Sequence, residues 1–183
     1  MTTSRWSLLG LVVAVAAFGL WQVMSRSGAE NQLDLLAKLP EAKKLTNVEE
    51  GPQFVVETVT IDGETKRTVL ARTSSRLTFP LTIARDTWFD VSFAMKPETW
   101  DQPGDGAQFR VGVSDGRAYD ELLKQYVNPK RGDRRWFSAR LDLSAYEARQ
   151  VTLILNTDPG LPGSLDKAND LAVWAEPRLY TKR

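Results

Sequence analysis

An uncharged run of nineteen residues near the start of the chain constrains its architecture more than any other feature. Trp6 to Met24 reads WSLLGLVVAVAAFGLWQVM. As a helix this run would be about 28 Å long, which matches the hydrocarbon thickness of a bilayer. Trp6 and Trp21 stand near its two ends, where indole rings favour the headgroup boundary. The run predicts a single transmembrane helix within residues 1–25, and hence a chain that contacts membrane lipid.

The alternative for this segment is a cleavable signal peptide, because Ser27-Gly28-Ala29 precedes Glu30 as a small-x-small site would. The apolar run is longer than a usual signal core, which favours an uncleaved anchor. The expected topology is single-pass in the cytoplasmic (inner) membrane, with the N-terminus inside and the rest on the periplasmic or extracellular side. Small residues share one helix face and predict contacts with other membrane-protein subunits, although such residues also occur without a partner in spanning helices. They are Gly10, Ala14 and Ala17.

The composition removes several kinds of chemistry. The 183 residues include no Cys and no His, which excludes disulfides, thiolate nucleophiles, imidazole bases and imidazole metal sites. Lys and Arg total 24 against 23 Asp and Glu, a net charge of +1. A nucleic-acid-binding protein normally has a strong basic excess, so none is expected as a partner.

Residues 26–52 have the composition of a juxtamembrane linker. Glu30 to Leu39 reads ENQLDLLAKL, and its leucines at 33, 36 and 39 fit one face of a short amphipathic helix. Pro40 would end that helix. The segment predicts a partly helical stalk between the membrane and a folded domain.

Residues 53–183 have the pattern of an antiparallel β-sandwich. Short runs alternate in polarity, as in Trp88 to Met95, and Asp62-Gly63 is a strong hairpin turn. About eight such runs follow one another, and the only helical candidate among them is Ala118 to Val127. Many short strands between turns favour a mainly β fold of two sheets, a jelly roll, closed over one core. The strand aromatics Trp88, Phe93, Phe109, Trp136 and Trp174 are predicted to lie in that core.

Three stretches carry a family resemblance. They are DGAQFRVGVSDGRAYDELL (105–123), RRWFSARLDLSAYEARQVTLILNT (134–157) and NDLAVWAEPRLY (169–180). Together they resemble the galactose-binding-like, carbohydrate-binding-module type of jelly roll on exported and membrane-tethered bacterial proteins. The resemblance implies a β-sandwich that is frequently non-catalytic, often sugar-binding and sometimes stabilised by a structural calcium. The chain departs from the pattern at Glu147 to Gln150, where a tight turn with Gly is usual.

One loop combines the groups that a sugar site needs. Trp100 lies in PETWDQPGDG (97–106), where an exposed ring would stack on a sugar beside hydrogen-bond acceptors. The alternative is that Trp100 folds back and caps the end of the sandwich. The candidate ligand-binding residues are Trp100, Asp101, Gln102, Asp105 and Asn128.

Two charged groups are the remaining candidates. A basic loop would bind an anionic partner surface, or else is simply solvated; its residues are Lys130, Arg131, Arg134 and Arg135. Loop carboxylates supply oxygens for a calcium, but no recognised calcium-loop spacing is present. They are Asp101, Asp105, Asp115, Asp120, Glu121, Asp166 and Asp170.

These observations predict a protein that is not an enzyme. The first hypothesis is a membrane-anchored accessory or scaffold subunit whose sandwich contacts other subunits of a membrane complex. The alternative is a membrane-tethered carbohydrate-binding module, and the third hypothesis is a small glycan hydrolase acting through two carboxylates.

Overall fold

The computed structural model describes residues 31–161 and 163–181. The predicted transmembrane helix, its small-residue face at Gly10, Ala14 and Ala17, and the Ser27–Ala29 site lie outside the described residues. Within the two described ranges, no helix has both the length and the hydropathy that a bilayer crossing requires.

The described residues form eleven β-strands and four short 3₁₀ turns. The strands are β1 (Asn31–Asp34), β2 (Lys43–Thr46), β3 (Val56–Ile61), β4 (Glu64–Leu70), β5 (Ser75–Thr82), β6 (Thr87–Met95), β7 (Ala107–Ser114), β8 (Tyr119–Val127), β9 (Phe137–Asp142), β10 (Gln150–Pro159) and β11 (Ala172–Thr181). The 3₁₀ turns are Leu39–Glu41, Pro97–Thr99, Pro129–Arg131 and Ser144–Tyr146.

The strands build two antiparallel sheets that face each other, so the predicted sandwich is confirmed. The first sheet has the order β3-β4-β11-β6-β9, with β1 also paired to β11. The second sheet has the order β2-β5-β10-β7-β8. Non-consecutive neighbours such as β4 beside β11 and β5 beside β10 show that the chain crosses repeatedly between sheets. Two stacked sheets bury one face of each strand, which explains the period-two burial.

An aromatic cluster fills the space between the sheets. The rings of Phe93 and Phe109 have centroids 4.8 Å apart, and Trp174 meets Phe109 edge-on at 5.0 Å. The buried indole Nε1 of Trp174 donates to the Thr157 hydroxyl at 3.1 Å, which satisfies its only polar group. These three aromatics lie in the core as predicted.

Trp88 does not lie in this core, contrary to the prediction. In β6 the buried side chain of Phe89 points inward, so Trp88 on one side and Asp90 on the other point to the outer face of the first sheet. Trp88 is half-buried on that outer face.

The stalk helix predicted at Glu30 to Leu39 is wrong for the described residues. Asn31–Asp34 is strand β1, which pairs with β11, and β2 pairs with β5 in the other sheet. Between them, Leu35, Leu36 and Leu39 are buried in the main core. The segment passes from one sheet to the other because these leucines close the space between the sheets, and that burial outweighs a weak helical preference.

The helix predicted at Ala118 to Val127 is also wrong. Tyr119–Val127 is strand β8, which pairs with β7 at the edge of the second sheet. The backbone of this segment forms its hydrogen bonds with the edge of β7 instead of within a helix. Such strand pairing overrides the local helix propensity.

The β3–β4 hairpin folds over part of the first sheet's outer face, and we call it the strap (residues 56–70). Its Val59 and Ile61 pack with Ala94 and Val173 in a second buried cluster. Trp136, predicted to be in the main core, instead packs against this cluster, and its Nε1 donates to the Glu64 carbonyl at 3.1 Å. The strap therefore covers the part of the outer face at Ala94 and Val173 and leaves the part at Asp90 and Arg140 open.

Candidate functional site

The predicted sugar-stacking residue Trp100 caps the end of the sandwich where β6 ends. Its half-buried ring packs against the main core, and its Nε1 donates to the Met95 carbonyl at 3.0 Å. The Arg134 guanidinium stands 5.6 Å from the ring centroid. The ring is thus contacted from both the core and Arg134, which leaves little of it for a ligand.

The other predicted ligand-binding residues lie in the loops around Trp100, and three of them, Asp101, Asp105 and Asn128, form hydrogen bonds within the protein. Asp101 forms an ion pair with Arg134 at 2.6 Å, and Gln102 is exposed. Asn128 is buried; its Nδ2 donates to the Asp105 carbonyl at 3.0 Å and its Oδ1 accepts from the Lys130 amide at 2.9 Å. The cleft between these loops has a volume of about 10 Å³, which is room for about one water molecule.

Two carboxylates are enclosed at the same end of the sandwich. Asp170 accepts a hydrogen bond from the Thr73 hydroxyl at 2.6 Å, and burial raises its pKa to about 7. Asp105 accepts from Ser164 through Oδ2, while its Oδ1 is buried without a partner among the described residues. Among the residues that the structure describes, no three His, Cys, Asp or Glu side chains come together as a metal site.

The basic loop lies on neighbouring aromatic rings. Arg131 stands 5.7 Å from the Tyr126 ring and Arg135 stands 4.8 Å from the Phe137 ring, while Lys130 is exposed. Such cation–π contacts stabilise each guanidinium separately. The four basic side chains therefore point in different directions and do not form a single anion-binding site. They are Lys130, Arg131, Arg134 and Arg135.

A groove on the open part of the first sheet's outer face is roomier than the cleft beside Trp100. Its volume is about 410 Å³, within the range of small-ligand pockets. Strands β6, β9 and β11 form its floor, and Lys66 of the strap stands at its wall. The lining residues are Lys66, Asp90, Val91, Ser92, Ser138, Ala139, Arg140, Glu176, Arg178 and Tyr180.

Cross-strand pairs of polar side chains form the floor of this groove. Asp90 faces Arg140 across β6 and β9, and the guanidinium donates to both carboxylate oxygens at 2.7 and 2.5 Å. In the next outward-facing row, the hydroxyls of Ser92 and Ser138 are 2.8 Å apart. The regular period of the strands aligns these groups into a ladder of donors and acceptors.

A bulge in β11 adds a carboxylate to the groove. The register shifts between Ala175 and Arg178, and Glu176 has a left-handed backbone with φ of +46°. The Pro177 carbonyl accepts the Leu35 amide at 2.9 Å, which fixes the bulge to the chain after β1. Bulges re-aim side chains, and here Glu176 Oε1 lies 3.6 Å from Arg178 Nη2 at the groove.

Two aromatic side chains stand at the end of the groove away from the strap. Tyr180 lines the groove and pairs across strands with Trp88. The Tyr180 hydroxyl accepts from Gln32 Nε2 at 2.8 Å. Both aromatic side chains are half-buried on the outer face.

The groove residues were missed by the sequence analysis, although a signal for them was present. Trp88, Asp90 and Ser92 alternate with buried apolar residues in β6, so all three share the outer face. An aromatic residue at a strand position whose neighbours on the same face are polar indicates an aromatic ring on the solvent-facing side of the sheet. The bulge at Glu176 has no such sign in the sequence.

Comparisons with known proteins give the fold but not a family. No protein-family model matches the chain. An uncharacterized protein of Archaeoglobus fulgidus is 38% identical over 91 residues, which are 48% of this chain. The match covers only 22% of that relative's length.

Solved structures of carbohydrate-binding modules share the sandwich. The CBM51 from Clostridium perfringens GH95, solved with methyl-galactose, has a TM-score of 0.59 at 14% identity, over 81% of this chain and 99% of that one. The CBM51-2 and INT domains of Clostridium perfringens ZmpB have a TM-score of 0.55 at 12% identity, over 76% of this chain and 30% of that one. At these identities the likeness is one of fold.

Proposed function

We propose that this protein is a non-catalytic carbohydrate-binding module, and that its sugar site is the groove on the first sheet. The observation that carries the proposal is the combination in one groove of aligned donors and acceptors, at Asp90, Arg140 and Ser138, with the aromatic edge at Tyr180. Sugars bind through such groups because their hydroxyls need both donors and acceptors, while their C–H faces pack on aromatic rings. The fold shared with CBM51 modules supports the same class of function.

The charges of the groove favour a neutral sugar over an anion. Asp90 is paired with Arg140, Glu176 stands near Arg178, and Lys66 pairs with Glu64 at 2.6 Å. Because each cation has its own carboxylate, the groove offers polar contacts with little net charge. When a sugar binds at these polar side chains, its hydroxyls displace water and form the hydrogen bonds that the water formed.

The arrangement also favours binding over hydrolysis. A glycosidase needs one carboxylic acid and one free carboxylate on opposite sides of the bond it cleaves. Asp90 accepts a hydrogen bond from the Arg140 guanidinium on each of its carboxylate oxygens, so both oxygens already have a partner within the protein.

The test is a glycan microarray with the full chain in mild detergent, followed by titration calorimetry on the tightest glycan. Tyr180→Ala and Asp90→Asn should each weaken binding by about tenfold or more, since they remove the ring or a charged acceptor. Asp86→Asn, at an exposed loop position, is the matched control and should bind as wild type does. No array signal for wild type, or equal affinity in Tyr180→Ala and wild type, contradicts the proposal.

We further propose that residues 6–24 hold this module at the cytoplasmic membrane, with the sandwich outside. The support is the uncharged run itself. Carbonate extraction of membranes tests it: the chain should stay in the pellet, and release into the supernatant contradicts anchoring. The accessory-subunit hypothesis depends on the same residues, and stoichiometric membrane subunits after gentle solubilisation would support it over a lone sugar-binding module.

A further inference from the structure

A second aromatic platform lies on the opposite side of the sandwich, on the outer face of the second sheet. The ring of Tyr119 occupies the space above Gly112: a Cβ on that glycine would come within 2.4–2.5 Å of Cε2, Cζ and Oη. Any side chain at position 112 would therefore push the ring away from the strand. Tyr119 is nevertheless 45% exposed, because the ring surface that points away from the strand meets solvent.

A bulge in β8 brings Tyr119 to this position. Val111 pairs with Leu123 and Gly112 pairs with Glu121, which leaves Leu122 as the extra residue. Leu122 and Leu123 both pack against the core, so the residues before the bulge change faces. Glu121 and Tyr119 consequently stand on the outer face rather than in the core register.

Hydrogen-bonding side chains stand beside the ring. Arg110 Nε donates to Asp158 Oδ2 at 2.8 Å, and Arg76 Nε donates to Asn156 Oδ1 at 2.7 Å. Arg110, Asn156 and Arg76 are cross-strand neighbours on β7, β10 and β5. Arg110 donates to a carboxylate and Arg76 to a neutral amide, so this surface, like the groove of the first sheet, offers polar hydrogen-bonding groups.

A depression continues from these pairs toward the edge of the sheet. It has a volume of about 280 Å³ and includes Arg76, Asn156 and Asp158 in its lining, with Leu45 at the far side. From β7, which carries Gly112, to β5, which carries Arg76, the distance is two strand spacings, about 10 Å. That distance suits a ligand of two linked sugar rings.

We propose that this face is a second carbohydrate-binding site, which takes an oligosaccharide of at least two residues. One sugar ring stacks on Tyr119, and the next one hydrogen-bonds Arg76, Asn156 and Asp158 in the depression. The ligand class rests on the proposed function, but this site shares no residue with the groove of the first sheet. The two sites can therefore be tested separately in one chain.

The test is an amide chemical-shift titration of the full chain with lactose, cellobiose and diacetylchitobiose. Binding at the second site shifts the amides of Gly112, Ser114 and Asn156 with one dissociation constant. Tyr119→Ala should weaken that constant by about tenfold, whereas Tyr119→Phe keeps the ring and should stay within about threefold. Gly112→Ala displaces the ring without removing it and should weaken binding about as much as Tyr119→Ala does.

The groove variant Tyr180→Ala separates this inference from the proposed function. Shifts at the second site that persist in Tyr180→Ala and disappear in Tyr119→Ala support it, whether or not the groove binds sugar. Shifts confined to the groove amides of Asp90 and Ser138 overturn the second site and leave the proposed function standing. No shift at either site, or equal affinity in Tyr119→Ala and wild type, also overturns it.

Discussion

The hydroxyl of Thr73 donates to a carboxylate oxygen of Asp170 at 2.6 Å, inside the end of the sandwich where the loops meet. Asp170 is only 3% exposed, and burial raises its pKa to about 7 against an ordinary value of 3.8. The folded protein therefore keeps this carboxyl protonated at pH values where the unfolded chain has lost the proton.

This pair predicts a stability that falls as pH rises from about 4 to about 7. In that window only the folded state binds the proton at Asp170, so each pH unit removes up to about 1.4 kcal/mol; above it both states are charged and the slope ends. Asp170→Asn should flatten the slope and raise stability at pH 8, measured by urea unfolding at pH 5 and pH 8. The exposed control Asp86→Asn should retain the wild-type slope, and an unchanged slope in Asp170→Asn would count against the assignment.

The pKa values of Asp115 and Asp142, lowered by hydrogen bonds to their carboxylates, affect stability only below about pH 4.

The segment before β2 is predicted to be part of the folded unit. Leu35→Ala removes a fully buried side chain and should lower the free energy of unfolding by about 2–5 kcal/mol. Leu45→Ala is the matched control, because Leu45 is 46% exposed and should cost less than about 1 kcal/mol. Equal urea midpoints for the two variants would mean that the segment is a dispensable linker.

The two tryptophans Trp100 and Trp88 should separate stability from binding. Trp100→Ala removes a ring packed against the core and should cost about 3–5 kcal/mol of stability while leaving sugar affinity within about twofold. Trp88→Ala, on the groove side of β6, should weaken binding with a smaller loss of stability. Thermal unfolding measures the stability of both variants, and calorimetry on the same samples measures their sugar affinity. A Trp100→Ala variant that folds but no longer binds sugar would show that the sugar site is at the loop end of the sandwich.

The strap is predicted to depend on its buried aliphatic side chains. Ile61→Ala should cost about 2–5 kcal/mol and raise amide exchange across residues 56–70, since Ile61 is 2% exposed. Val56→Ala, at a position 37% exposed, is the control. Exchange in β3 and β4 that does not respond to Ile61→Ala would show that the hairpin is held by other contacts.

The fold class could be predicted from the sequence because alternation along strands such as β6 and β7 is a local signal. The two helices predicted at 30–39 and 118–127 failed for a common reason. In both segments leucines and charges fit a helical period, but a neighbouring strand offered an open edge: β11 for β1 and β7 for β8. Edge pairing is a long-range contact that no local pattern records.

The candidate site was harder to predict than the fold. Trp100 stood in a loop rich in turn residues, and its indole hydrogen bond to Met95 depends on how that loop folds back. Glu176 and Tyr119 reach the surface through bulges, and a one-residue bulge reverses which face a side chain occupies. The positions of these three side chains therefore could not be predicted from the hydrophobic periodicity of the sequence.

A crystal structure of the chain with the tightest glycan from the array tests the groove most directly. We expect a sugar ring against Tyr180, with hydroxyls hydrogen-bonded to the Asp90–Arg140 pair and to Glu176. A glycan seated at the loop end against Trp100 and Asn128, with the groove holding only solvent, would contradict it.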